Sequence, residues 1–326
     1  MDLLTVKDLW VEYVTDTVAN KAVNGISFSV APGENLGFVG ETGAGKTTTA
    51  LSIMGLLPKE VGKVSKGEIN FRGQNLLELS EAEMRKIRGS QIGMIFQDPM
   101  TSLNPLMTMG SQIAEVLKYH TDFDRTGISN RVDELLTMVG IPPSRKNEYP
   151  HQFSGGMRQR IVIAIAIACS PALLIADEPT TALDVTIQAQ VLEMMDELRR
   201  KINTSMLIIT HDLGIVARVC DKVAIMYSGE IVEYGTVQDI FLGSLHHPYT
   251  VGLFGSIPDL TFSEKRLHPI QGQMTDPANL PEGCKFNPRC KHSEDFCKKN
   301  TPGFFEVSEG HFIKCRLAKS ETGGEG

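Results

Sequence analysis

The sequence predicts an α/β fold on a largely parallel sheet, interrupted by a helical insertion and followed by a compositionally distinct C-terminal segment. Three observations predict it. Strand-length apolar runs recur at 26–30 (ISFSV), 35–40 (NLGFVG), 92–96 (IGMIF), 173–177 (LLIAD) and 206–210 (MLIIT), with helical stretches between several of them. That alternation is the pattern of strands joined by crossover helices. From about 100 to 165 there is no convincing strand, and "GSQIAEVLKYH" and "ISNRVDELLTMVG" space their apolar residues at helical intervals, so this stretch reads as an inserted helical subdomain. After "KVAIMYSGEIVEYG" (222–235), which reads as two strands around a Ser-Gly turn, the chain becomes rich in Pro, Gly and Cys. The expected boundary lies there, dividing 1–235 from 236–326.

At 326 residues the chain exceeds the size at which one core keeps growing, which favours a principal domain with an appendage. Hydrophobic residues make up 41%, charged residues 22%, and the net charge is −7. This describes a soluble globular protein without the basic footprint of a nucleic-acid binder. "MDLLTVKDLW" carries an early acid and no long apolar stretch, so it does not read as a secretory signal, and a cytosolic location with reduced thiols is expected. The longest apolar run, "IVIAIAIAC" at 161–169, is about half what a membrane-spanning helix needs. A role at a membrane would require another subunit to do the spanning.

The first chemical motif is "GETGAGKTT": Gly40, Glu41, Thr42, Gly43, Ala44, Gly45, Lys46, Thr47 and Thr48. It follows the apolar run "NLGFV" and precedes a helical stretch, so the P-loop pattern sits in its required strand–loop–helix context. The glycines let backbone N–H groups curl around phosphates, Lys46 reaches the β- and γ-phosphates, and the Thr47 hydroxyl meets Mg²⁺. Next, "LLIADEP" (173–179) ends a buried strand in two acids, at the sheet edge where ligands of open α/β sheets sit. Asp177 is the expected Mg²⁺ residue, and Glu178 the residue that orients or deprotonates the attacking water. Gln97 and His211 each end a strand of the same sheet. Gln97 is a candidate for Mg²⁺ or the water, and His211 a candidate for the same site.

At "FSGGMRQR" the sequence has residues that a generic P-loop ATPase does not need. Ser154, Gly155 and Gly156 ahead of a helix read either as a second anion cradle or as an N-cap with flexible glycines. The whole ordered series, an aromatic at Tyr13, the P-loop, Gln97, "FSGGM", "LLIADE", "ALD" at 182–184 and His211, resembles the ATP-binding subunit of an ABC transporter over residues 1 to about 235. The resemblance implies a RecA-like core with an antiparallel β subdomain and a helical subdomain. It further implies that Tyr13 stacks on adenine, Gln97 senses the γ-phosphate, Glu178 is the catalytic carboxylate and His211 contacts the γ-phosphate. Asp184 would lie at a dimer interface, and Ser154 to Gly156 would complete the ATP site of a second ATPase subunit bound head to tail. Phe153 stands where the family commonly has leucine.

The tail narrows the likeness. "HHPYT" (246–250) and "QGQMTDPANLPEGCKFNPRC" are similar to the C-terminal region of ATPases that serve dipeptide and oligopeptide importers. Related ATPases serve nickel or oligosaccharide importers. The implied partners are two transmembrane permease subunits and, indirectly, an extracellular solute-binding protein, with the chain peripheral on the cytoplasmic face of the membrane. Cys284, Cys290, Cys297 and Cys315 hold four of the six cysteines, separated by five, six and seventeen residues. Zinc usually draws closer pairs, and four thiolates suit a [4Fe–4S] cluster. Zinc and unbound thiols remain alternatives. Lys285, Arg289, Lys291, Lys298 and Lys299 are expected to offset the charge of such a cluster. The tail is expected to bury little apolar surface, to owe its order to metal, and to stand apart from the nucleotide motifs.

Overall fold

The computed structural model describes residues 2–15, 18–181, 183–256 and 270–321. Ala182 of the "ALD" motif lies outside them. The strands are, in chain order, β1 (Leu4–Val14), β2 (Ala19–Val30), β3 (Asn35–Val39), β4 (Gly62–Phe71), β5 (Gln74–Asn75), β6 (Ile92–Ile95), β7 (Leu173–Asp177), β8 (Ser205–Thr210), β9 (Lys222–Tyr227), β10 (Glu230–Thr236), β11 (Phe305–Ser308) and β12 (His311–Ile313). Two compact units form. One comprises Met1–Leu4, Val30–Asn35 and Phe71–Thr210, and the other Thr5–Ser29, Leu36–Asn70 and His211–Gly326.

In the first unit β6, β7 and β8 run parallel, with Ile92 opposite Leu173 and Leu174 opposite Met206. Every residue of β7 and β8 is buried, which is why "LLIAD" and "MLIIT" read as continuous apolar runs and not as alternating ones. The helices Met109–His120, Arg125–Met138 and Gly155–Ala166 pack on one another. Ile113, Leu117, Val132, Leu135 and Leu136 face inward at the three- and four-residue spacing of an amphipathic face. The second of these helices begins three residues before the apolar pattern, because Asp124 caps it by accepting the Gly127 N–H at 2.7 Å.

In the second unit β3 pairs parallel with β9, β9 pairs antiparallel with β10, and β12 and then β11 continue beyond β10. The Ser-Gly turn is real: Ser228 and Gly229 have φ of 45° and 77°, and Tyr227 pairs with Glu230 across them. Positive φ at both central residues is the type I′ geometry that matches strand twist. β2, β1 and β4 are neighbours in that order in a separate sheet. β1 and β4 were not evident in the sequence, since their residues mix buried, half-buried and exposed positions and so lack a continuous apolar run.

The tail differs from its expected poverty of core. Tyr249, Phe286 and Ile313 are 0%, 3% and 0% exposed, and Tyr249 and Phe286 join Val39, Val223, Ile225 and Tyr227 in one apolar cluster. Two short strands and a buried aromatic pair give the tail apolar packing of its own. A Pro- and Gly-rich composition conceals this, because a few large rings bury as much surface as many small aliphatic side chains.

Candidate functional site

The P-loop connects β3 to the helix Lys46–Ile53. Gly45 starts that helix at φ 102°, and a Cβ there would lie 2.5 Å from the Ala22 carbonyl oxygen, so only glycine fits. The helix has no side-chain cap hydrogen bond and no acid in its first turn, which leaves its positive end suited to an anion. Lys46 is 5% exposed, and its Nζ donates to the carbonyls of Gly40 at 2.6 Å and Glu41 at 3.0 Å. Thr47 is exposed beside it. The Tyr13 hydroxyl lies 3.3 Å from Thr48 Oγ1, so the structure brings this aromatic to the loop although 35 residues separate the pair in the chain.

In the other unit the ends of β6 and β7 assemble a second constellation. Asp177 closes β7 and is 2% exposed. Glu178 follows at φ 46°, an uncommon conformation for a side chain of its size, pinned by its N–H donating to the Ile209 carbonyl at 2.8 Å. Its Oε2 accepts from Gln97 Nε2 at 3.1 Å and from Thr181 Oγ1 at 3.0 Å. The carboxylate is thus aimed by two donors, and Gln97 is joined to Glu178 directly. His211 is exposed, one residue beyond β8.

Ser154 is the N-cap of Gly155–Ala166, accepting the Met157 N–H at 3.4 Å. Asp184 likewise caps the helix Val185–Ile202 through the Ile187 N–H at 3.0 Å. The two caps are linked by packing: a Cβ on Gly156 would meet Ile187 Cγ2 at 2.6 Å. Both residues are exposed, and each caps its own helix.

Cys284, Cys290, Cys297 and Cys315 line one cavity of about 160 Å³ together with His292. Burial pushes the Cys284 thiol up to about 11, and burial raises those of Cys290 and Cys315 as well. Of the cations expected to offset a cluster, Arg289 is committed to Glu41 and Lys298 to Asp295. The tail therefore does not stand apart from the nucleotide motifs. Arg289 forks the Glu41 carboxylate at 2.6 and 3.1 Å, and Tyr249 of "HHPYT" accepts the Glu41 N–H at 2.9 Å. No spacing signals this contact, because 248 residues separate Arg289 from Glu41.

Nearby, Glu233 on β10 is a hub that sequence reading missed. Its Oε1 meets His246 Nδ1 at 2.8 Å and His311 Nε2 at 3.0 Å, and its Oε2 accepts the His247 N–H at 2.8 Å. Burial acts to raise the Glu233 pKa, but hydrogen bonds from His246, His311 and the His247 N–H bring it down to about 2. His246 Nε2 also faces the Gly243 carbonyl at 3.0 Å. Both ring nitrogens face oxygen acceptors, and the Glu233 hydrogen bond raises the His246 pKa. The hub fastens "HHPYT" and β12 to β10 by charge-assisted bonds.

Among the described residues, no helix is long and apolar enough to cross a membrane. Residues 23–181 match the ABC transporter family, and residues 232–297 match the oligopeptide/dipeptide transporter C-terminal region. The oligopeptide transport ATP-binding protein OppD of Bacillus subtilis (strain 168) is 51% identical, over 97% of this chain and 88% of its own. AppD of the same organism, also an oligopeptide transport ATP-binding protein, is 48% identical over 98% of both chains. The solved ATP-binding cassette MJ0796, a dimer bound to ADP and Pi, superposes with a TM-score of 0.65 at 25% identity, covering 72% of this chain and 98% of its own. With its P-loop, its strand-end carboxylates and relatives matched along nearly their whole length, the chain belongs to the ABC transporter family, as an ATPase carrying the oligopeptide/dipeptide-type C-terminal region.

Proposed function

We propose that the chain is the ATP-hydrolysing subunit that powers import of dipeptides or oligopeptides through separate transmembrane permease subunits, at the cytoplasmic face of the membrane and with an extracellular solute-binding protein delivering the peptide. The observation that carries the reading is the joint match of the ATPase core and the oligopeptide/dipeptide C-terminal region in a chain aligned along nearly all of its length with peptide-transport relatives. Within it, Tyr13 stacks on adenine, residues 40–48 hold the phosphates with Lys46 as the cation, and Glu178 orients and deprotonates the attacking water. Mg²⁺, when bound, neutralises phosphate charge, with Thr47, Gln97 and Asp177 as its residues. His211 contacts the γ-phosphate. Ser154, Gly155, Gly156 and Asp184 face a second, identical or similar ATPase subunit.

Reconstitution with the membrane subunits in proteoliposomes tests the function: ATP-dependent uptake of labelled dipeptide is expected. Uptake of Ni²⁺ or an oligosaccharide with peptides ignored would overturn the peptide reading.

We propose a [4Fe–4S] cluster at the four tail cysteines, with zinc or unbound thiols as the alternatives. They line one cavity, and four thiolates without a close C-x₂₋₄-C pair suit such a cluster. When bound, the group cross-links the segments that carry Cys284, Cys290, Cys297 and Cys315. Anaerobically purified protein is expected to contain iron and acid-labile sulfide, both lost in Cys290→Ser. Stoichiometric zinc without iron would remove the cluster from this reading.

A further inference from the structure

We infer that the C-terminal region sets the nucleotide affinity of the P-loop, with Tyr249 and Arg289 as positioning residues for Glu41. The inference rests on the reading of Gly40–Thr48 as the ATP site and adds to it a control that lies outside the loop.

The Gly40–Glu41 peptide is gripped at both ends. Its N–H donates to the Tyr249 hydroxyl at 2.9 Å, and its carbonyl accepts from Lys46 Nζ at 2.6 Å. In a trans peptide these groups point in opposite directions, so a phenol on one side and the phosphate-binding ammonium on the other hold one rigid plane. Tyr249 is fully buried, and it packs against Tyr227 and Phe286 with ring centroids 4.7 and 5.4 Å away. Losing its hydroxyl frees the peptide on which Lys46 is docked.

The Glu41 side chain adds an electrostatic reason. A carboxylate at the second position of a phosphate cradle repels the polyphosphate. Arg289 cancels that charge with a two-point fork, the strong geometry for a guanidinium and a carboxylate. The Arg289 side chain is only 4% exposed, and it also donates to the Gln271 carbonyl at 3.1 Å. Its place is fixed by the short segment between Cys284 and Cys290, which presents Phe286 to Tyr249 and Arg289 to Glu41. Whatever holds those two thiols therefore bears on the P-loop, through a segment of five residues.

The test uses the full chain, with ATP affinity by equilibrium titration and kcat at saturating ATP. Arg289→Gln is expected to raise the Kd for ATP about tenfold, the factor that goes with one lost charge-assisted interaction, and Tyr249→Phe to raise it about fivefold. In both, kcat changes less than about twofold, since neither residue touches the water or Glu178. The distinctive result is rescue: Glu41→Gln/Arg289→Gln returns the Kd to within about twofold of the parent, because the repelling charge leaves with its partner. A purely structural role for Arg289 predicts a double variant no better than the single one. Parent-like affinity in both Arg289→Gln and Tyr249→Phe, or a double variant that binds ATP no better than Arg289→Gln, overturns the inference. Should Arg289→Gln fail to fold by circular dichroism, the conservative Tyr249→Phe decides alone. A parent chain that binds ATP no better than Lys46→Ala would instead refute the ATP-site reading beneath it.

Discussion

Glu178→Gln is expected to bind ATP normally and to lose turnover, with kcat falling at least about 100-fold, the scale of a positioned general base. The substitution is nearly isosteric, and the amide oxygen can still accept from Gln97 Nε2 and Thr181 Oγ1, which now meet Glu178 Oε2 at 3.1 and 3.0 Å. The backbone at φ 46° is unchanged in its demands, since the N–H bond to the Ile209 carbonyl that pins it does not involve the side chain. What disappears is the basic oxygen. Without it the attacking water keeps its proton and bound ATP is expected to persist. Steady-state phosphate release alongside nucleotide titration checks this. Turnover equal to the parent's would remove Glu178 from the catalytic role and leave Asp177 or His211 to be examined.

Lys46→Ala is expected to act on affinity, raising the Kd for ATP about 100-fold, or about 2.7 kcal/mol. Lys46 is the buried cation of the loop, and its ammonium donates to the Gly40 and Glu41 carbonyls. Both acceptors are neutral, so exchanging them for anionic phosphate oxygens strengthens each bond. Alanine removes the charge and leaves two carbonyls near the phosphates, where they repel. Folding is expected to survive, because Gly45 and the buried Thr49 and Ala50 still seat the helix. Titration with a fluorescent ATP analogue separates the variants: Glu178→Gln should match the parent and Lys46→Ala should not. Equal affinity in Lys46→Ala would show that the loop does not hold the nucleotide by this residue.

The two variants rest on residues that were legible in the sequence, and the reason is locality. Gly40 to Thr48 is one loop and the first turn of its helix, and "LLIADE" is one strand and its end, so spacing along the chain is spacing in space. The inserted helices were legible through their 3.6-residue apolar period. The four cysteines announced themselves by clustering in sequence, although only folding shows that they line one cavity. The Glu233 hub and the clasp of Tyr249 and Arg289 on Glu41 were not legible. Their members are separated by 13 to 248 residues, and each alone is an ordinary polar side chain. Pairing of β3 with β9, β9 with β10 and β10 with β12 carries these segments together. Sequence therefore determined which atoms can do the chemistry, because that chemistry is built within single turns and strand ends. Tertiary structure decided what holds those atoms in place, because strand pairing, which no local pattern encodes, brought the tail to the loop.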